Sequence, residues 1–100
     1  MKYTIEDLES DIEAKISELS AMRRAKGHDY SGHSTDTLFN LREFGWEGVL
    51  VRLNDKINRL KSFYKQGTLK VADERVIDTM NDTINYAIYM ALMYEGEVGK

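Results

Sequence analysis

The sequence predicts an all-α fold: a compact helical bundle of two to three long helices and a short one. Three observations predict it. No proline occurs in 100 residues. The helix formers Ala, Leu, Glu, Lys and Met are frequent. Apolar residues recur at steps of three and four instead of alternating, the period of a helix with one buried face. A chain of this length makes one domain and buries a smaller share of its surface than a longer one, so association with further copies of itself would help it.

The first helix is predicted over residues 1–26. The Thr4 hydroxyl can cap the free amides of its first turn, with Glu6 and Asp7 at the positive end of the helix dipole. Ile5, Leu8, Ile12, Ile16, Leu19 and Met22 form one continuous stripe. Arg23, Arg24 and Lys26 then suit the negative end before Gly27 stops the helix. Residues 27–37, "GHDYSGHSTDT", are dense in turn formers and long for a connection in a small domain, which marks a functional loop. A short helix follows from about Asp36 to Phe44, placing Leu38, Phe39 and Leu41 on the core and ending near Gly45.

A second long helix is predicted over 46–66, closed by Gly67, and a third over 73–94. On the second, Val49, Leu50, Leu53, Ile57 and Leu60 share one face while Arg52, Asp55, Lys56 and Arg59 gather on a neighbouring one. The third contains "INYAIYMALMY", apolar around most of its circumference, and a helix greasy all round is normally buried on several sides. In so small a chain the missing neighbour is most simply another copy. The closing "EGEVGK" reads as a frayed end.

Composition removes several function classes. A net charge of -3 does not make the cationic surface that duplex DNA or an anionic membrane recruits. The absence of cysteine excludes a disulfide framework, a thiolate zinc site and a thiol nucleophile, and agrees with a reducing cytosol. The acidic, amphipathic start is no signal segment, and no apolar run approaches the ~20 residues needed to cross a bilayer. The expectation is a soluble, cytoplasmic protein. A nucleophilic triad and a Gly-rich phosphate loop both lack their parts.

What remains is a pair of polar ribbons. Asp78, Asp82, Asn85 and Tyr89 line one side of the third helix, with Glu74 near its start. As a solvated face they would need no further account, but Asn85 and Tyr89 sit within the most apolar segment, where an amide or phenol must find a partner. The natural partners are Arg52, Lys56 and Arg59. Either the carboxylates neutralise these cations as inter-helix ion pairs, or they orient them towards a ligand's phosphate oxygens, for which Arg forks and a Lys ammonium are suited. Tyr30 and Trp46 can stack on a base, or serve as ordinary packing aromatics. Lys26 and Asp29 can approach a ribose or phosphate. His28 and His33 lack the spacing of a metal site and read as loop residues.

Three blocks, "KGHDYSG", "LFNLREFGWEGVLVRLNDKINRLKSF" and "DERVIDTMNDTINYAIYMAL", resemble the nucleotide modification associated domain family common in phages and prophages. The similarity spans about Lys26 to Leu92. It implies an all-α domain related to the MazG-like nucleotide pyrophosphohydrolases, which assemble as dimers or higher oligomers, together with a nucleotide ligand and a bacterial host cytoplasm. MazG-like enzymes hold Mg²⁺ with an E-x-x-E pair on one helix and an E-x-x-D pair on the next, since a hard dication prefers oxygen ligands and bridges the phosphates under attack. This chain keeps Asp78 and Asp82, but Arg52, Asp55, Lys56 and Arg59 stand where the first pair belongs. Cations there repel Mg²⁺ and can neutralise phosphates directly.

The expected function is therefore binding without cleavage and without a cofactor. Such a protein would be an anti-defence sponge for a cyclic or ADP-ribose-type signalling nucleotide, held by Lys26, Asp29, Tyr30, Trp46, Arg52, Asp55, Lys56, Arg59, Asp78, Asp82, Asn85 and Tyr89. The alternative is a Mg²⁺-dependent nucleoside triphosphate pyrophosphohydrolase that gathers its metal with Asp55, Glu74, Asp78 and Asp82. A third reading is a plain oligomeric adaptor whose charges lock helices together.

Overall fold

The computed structural model describes residues 2–31, 43–67 and 75–100, with side chains in the first segment up to residue 25. Within them the chain is all-helical: α1 (Ile5–Ser31), α2 (Gly45–Gln66) and α3 (Val76–Glu97).

The start of α1 is fixed by a reciprocal cap. The Asp7 amide donates to the Thr4 hydroxyl at 3.0 Å, and the Thr4 amide donates back to the Asp7 carboxylate at 3.0 Å. The hydrogen bonds from Thr4, backbone first and hydroxyl second, hold the Asp7 carboxyl below its ordinary pKa. Just ahead of the cap, the Tyr3 hydroxyl donates to the Asp11 carboxylate. That hydrogen bond, then burial and the carboxylate charge, raises the phenol pKa. The helix does not end at Gly27 as predicted but runs on to Ser31, so the first residues of the predicted functional loop are helical. A glycine inside a helix costs about 1 kcal/mol relative to alanine, and a helix already propagating absorbs that without stopping. The remainder of the loop, and the predicted short helix up to residue 42, lie outside the described residues. Glu43 and Phe44 form a turn.

Gly67 ends α2 in the left-handed conformation, φ 73°, its amide donating to the Phe63 carbonyl at 2.7 Å. A Cβ there would meet nothing within 4 Å, so the dihedral and not the space selects glycine. The opposite end has no local side-chain cap. Instead the carboxylate of Glu97, at the last turn of α3, accepts the Trp46 amide at 3.3 Å. An anion at the positive end of a helix is favourable, and it corrects the expectation that "EGEVGK" frays.

α2 and α3 form the packed unit. Val49 and Met93, 0% and 3% exposed, make its centre, with Trp46, Tyr86, Tyr89 and Met90 packed around them. Burying such an aliphatic side chain is worth about 1.5–3 kcal/mol. α1 behaves differently. Its Leu19 is 1% exposed, but Ile5, Leu8, Ile12 and Ile16 are 41–75% exposed. The radius of gyration, 15.6 Å, exceeds the roughly 13 Å of a compact domain this long. The amphipathic stripe of α1 is thus continuous in sequence and buried only towards its end. One further expectation is corrected: Leu50, placed on the buried face of α2, is 45% exposed. Within the single chain α3 is covered on part of its circumference, with Ile77, Met80, Ile84, Ile88 and Leu92 37–55% exposed. Among the described residues no helix is long and apolar enough to cross a membrane.

Candidate functional site

The polar ribbon of α3 receives one cation from each of three elements. At its start the Arg75 guanidinium makes a fork to Asp78, 3.2 Å from Nε to Oδ2 and 3.1 Å from Nη2 to Oδ1. The hydrogen bonds and charge of Asp78 raise the Arg75 pKa further above its already high value. One turn on, the Lys56 ammonium of α2 lies 3.2 Å from Asp82 and 6.0 Å from the centre of the Tyr86 ring. Another turn on, Arg23 of α1 donates to the Asn85 amide oxygen at 2.6 Å.

Lys56 is the centre of this arrangement. It stands seven residues from Val49, three from Leu53 and four from Leu60, so the helical period places it on the apolar face of α2 and not beside it. Its side chain is 14% exposed, against 36% for Asp82. The four-carbon stem runs through the seam and delivers the charge to the carboxylate and the face of an aromatic ring. Among the inter-helix pairs predicted between α2 and α3 is this one. Arg59 lies 3.3 Å from Asp55 on its own helix, a partner four residues distant being within easy reach. Arg52 is exposed. Asn85, expected to meet the α2 cations, meets α1 instead, since it lies on the flank of α3 over which α1 crosses.

Trp46 sits apart from these groups. Its ring meets Tyr94 edge-on, centroids 5.4 Å apart, above an open groove of about 550 Å³ that Met90, Ala91, Tyr94 and Glu95 also line. Ten residues of helix, about 15 Å, separate it from Lys56. A single phosphate held at Lys56 does not reach it, and the contact Trp46 makes within the chain is this aromatic packing. Tyr89 packs edge-on to Tyr86, centroids 6.1 Å apart. The side chains of Lys26, His28, Asp29, Tyr30, His33 and Glu74 lie outside the described residues.

Among the described residues no group of three or more His, Asp or Glu is placed to hold a metal ion. Asp55, Asp78 and Asp82, three of the four carboxylates of the Mg²⁺ reading, each face a cation, which is a poor donor set for a dication. Sequence reasoning missed Arg23, Arg75, Tyr86 and Asn81. Arg75 had a local signal, three residues before Asp78. Arg23 had only its position four residues past Leu19. Asn81 is 5% exposed, and its side-chain oxygen has no hydrogen-bond partner. Compared with protein families, curated proteins and solved structures, the chain matches none.

Proposed function

We propose that this chain binds a phosphate-containing nucleotide without cleaving it, and acts in a phage or prophage setting as a sponge that withdraws a cyclic or ADP-ribose-type signal from bacterial defence. We place it in the host cytoplasm as an oligomer of identical chains. One observation carries the reading: cations from three elements converge on the α3 ribbon and, among the described residues, outnumber its carboxylates. Arg23, Lys56 and Arg75 stand against Asp78 and Asp82, an excess of one positive charge in a chain whose net charge is -3. Arg23 contributes most directly. An amide oxygen orients its guanidinium without cancelling its charge, leaving it able to make charge-assisted bonds to phosphate. From Asp78 to Asn85 the ribbon extends about 10 Å along the helix, which suits a ligand larger than a single phosphate. The pairing of carboxylates with cations favours holding over metal-assisted hydrolysis.

Isothermal titration with a panel of cyclic dinucleotides, ADP-ribose and its cyclic isomers, and dNTPs, with and without Mg²⁺, tests this. One of them is expected to bind and to be recovered intact. Arg23→Ala should weaken that binding at least tenfold, and Arg52→Ala should weaken it less while leaving the melting temperature within about 3 °C, as exposed substitutions usually do. A folded protein that binds none of the panel defeats the proposal. Mg²⁺-dependent release of pyrophosphate from dNTPs replaces it with the hydrolase.

A further inference from the structure

The groove beside Trp46 is built on a different principle from the cationic ribbon. Its walls are Trp46, Met90, Ala91 and Tyr94, Glu95 and Lys100 stand with them, and it encloses about 550 Å³. The two aromatic rings are inclined at 80° with centroids 5.4 Å apart. The re-entrant corner between perpendicular rings is walled by a face of each, and the face is the negative side of the aromatic quadrupole. Carboxylates add to that sign. Glu95 lines the groove, Glu97 accepts the Trp46 amide, and an oxygen of Glu47 and one of Glu97 each lie 3.2 Å from the point where a Cβ on Gly45 would stand. Among the described residues that line the groove, Lys100 is the one cation. Three acids, Glu47, Glu95 and Glu97, thus stand against one lysine around Trp46, a local balance of two negative charges.

We propose that this groove binds a small organic cation through a methylated, quaternary ammonium head. Charge decides the sign of the ligand. A phosphate, the group assigned above to the ribbon, is repelled by these carboxylates and ring faces, and a neutral ligand leaves both unused. The apolar walls decide the kind of cation. A primary ammonium carries three donors that each need an acceptor, and Met90 and Ala91 offer it none from their side chains. The Lys100 ammonium accordingly lies beside Glu95, at 3.4 Å, on a side chain 87% exposed. Methyl groups on the nitrogen replace those donors with apolar surface that packs on Met90 and Ala91, while the charge, spread over the methyls, sits within about 6 Å of the ring centres and is attracted by both. Glu95 then serves as the counter-ion, and Lys100 competes with the ligand for it. About 15 Å of helix separates this groove from Lys56, so the inference is independent of nucleotide binding.

Trp46 is the only tryptophan of the chain, so its fluorescence reports on the groove directly. Choline titrated into the full chain should change that emission saturably at millimolar concentration, against sodium chloride at equal ionic strength as the blank. The neutral alcohol in which carbon replaces the nitrogen has the same shape and should bind at least tenfold more weakly. Inorganic phosphate should give no saturable change. Tyr94→Leu should weaken choline binding at least tenfold and Glu95→Gln several-fold, whereas Lys100→Ala, which frees Glu95, should bind at least as tightly as wild type. Glu95→Gln and Lys100→Ala alter exposed side chains and leave the fold intact, so the test does not depend on Tyr94→Leu folding. A peptide bearing trimethyllysine, compared with choline, tells a protein-borne head group from a free one by which binds tighter. Folded wild-type protein whose emission responds to neither choline nor the peptide overturns the proposal. So does equal binding of choline and its neutral counterpart, and so does choline binding that Glu95→Gln and Tyr94→Leu both leave unchanged.

Discussion

The two halves of the molecule obey the same sequence rule with different results. α2 and α3 bury Val49 and Met93 against each other, while the stripe of α1, equally regular in sequence, stays mostly exposed and is sealed at Leu19 alone. Periodicity states which face of a helix must leave water. It does not state which surface will receive it, nor whether that surface belongs to the same chain.

Substitution can break this contrast, and the largest effect is expected in the seam. Val49→Asp places an uncompensated charge at the fully buried centre and should cost more than about 3 kcal/mol, enough to abolish cooperative thermal unfolding. Ile5→Asp puts the same charge on the other stripe. At dilutions where copies are apart it should shift stability by no more than about 0.5 kcal/mol. Similar losses for the two would show that α1 packs against the rest of its own chain.

Lys56→Met is the next sharpest. It removes the ammonium but keeps most of the stem, leaving Asp82 without its seam partner. Because that carboxylate is partly exposed the cost is expected near 2 kcal/mol, about 10 °C in melting temperature. The Lys56→Met, Asp82→Leu double variant should recover most of it. Asn81→Leu should be smaller still and of opposite sign, up to about 1 kcal/mol stabilising in urea denaturation, because it deletes a buried oxygen without a partner.

The smallest effect belongs to the cap of α1. The Asp7 pKa is lowered in the folded protein. Its contribution is therefore complete above the ordinary carboxylate pKa and is lost as pH falls through the depressed value. Acidification in that range should fray the first turn, seen as faster amide exchange at residues 5–8, with Val49 and Met93 unaffected. Thr4→Ala should produce the same fraying at neutral pH.

Much of the fold is legible in the sequence for local reasons. The Thr4 and Asp7 cap, the stop at Gly67 and the helical state of α2 and α3 follow from residues within a turn of each other. Two of the misreadings involve partners distant in sequence, while the stop predicted at Gly27 failed locally. Glu97 caps α2 from 51 residues away and Arg23 reaches Asn85 from 62, so neither could be found by spacing. Lys56 was legible as a cation near the core but not as one within it. Whether a lysine at the margin of an apolar stripe turns inward depends on what the opposite helix offers, here Asp82 and the Tyr86 ring.

The position of Lys56 has a consequence for how the two long helices are aligned. Surfaces made of valine, leucine and methionine are forgiving, and a pair of rods coated with them can slide by a turn at little cost. A single ammonium that finds its carboxylate at one axial setting, and a carboxylate or amide already held by an arginine one turn either way, works as a detent. Removing both charges should yield a pair that adheres as firmly but no longer settles in a single alignment.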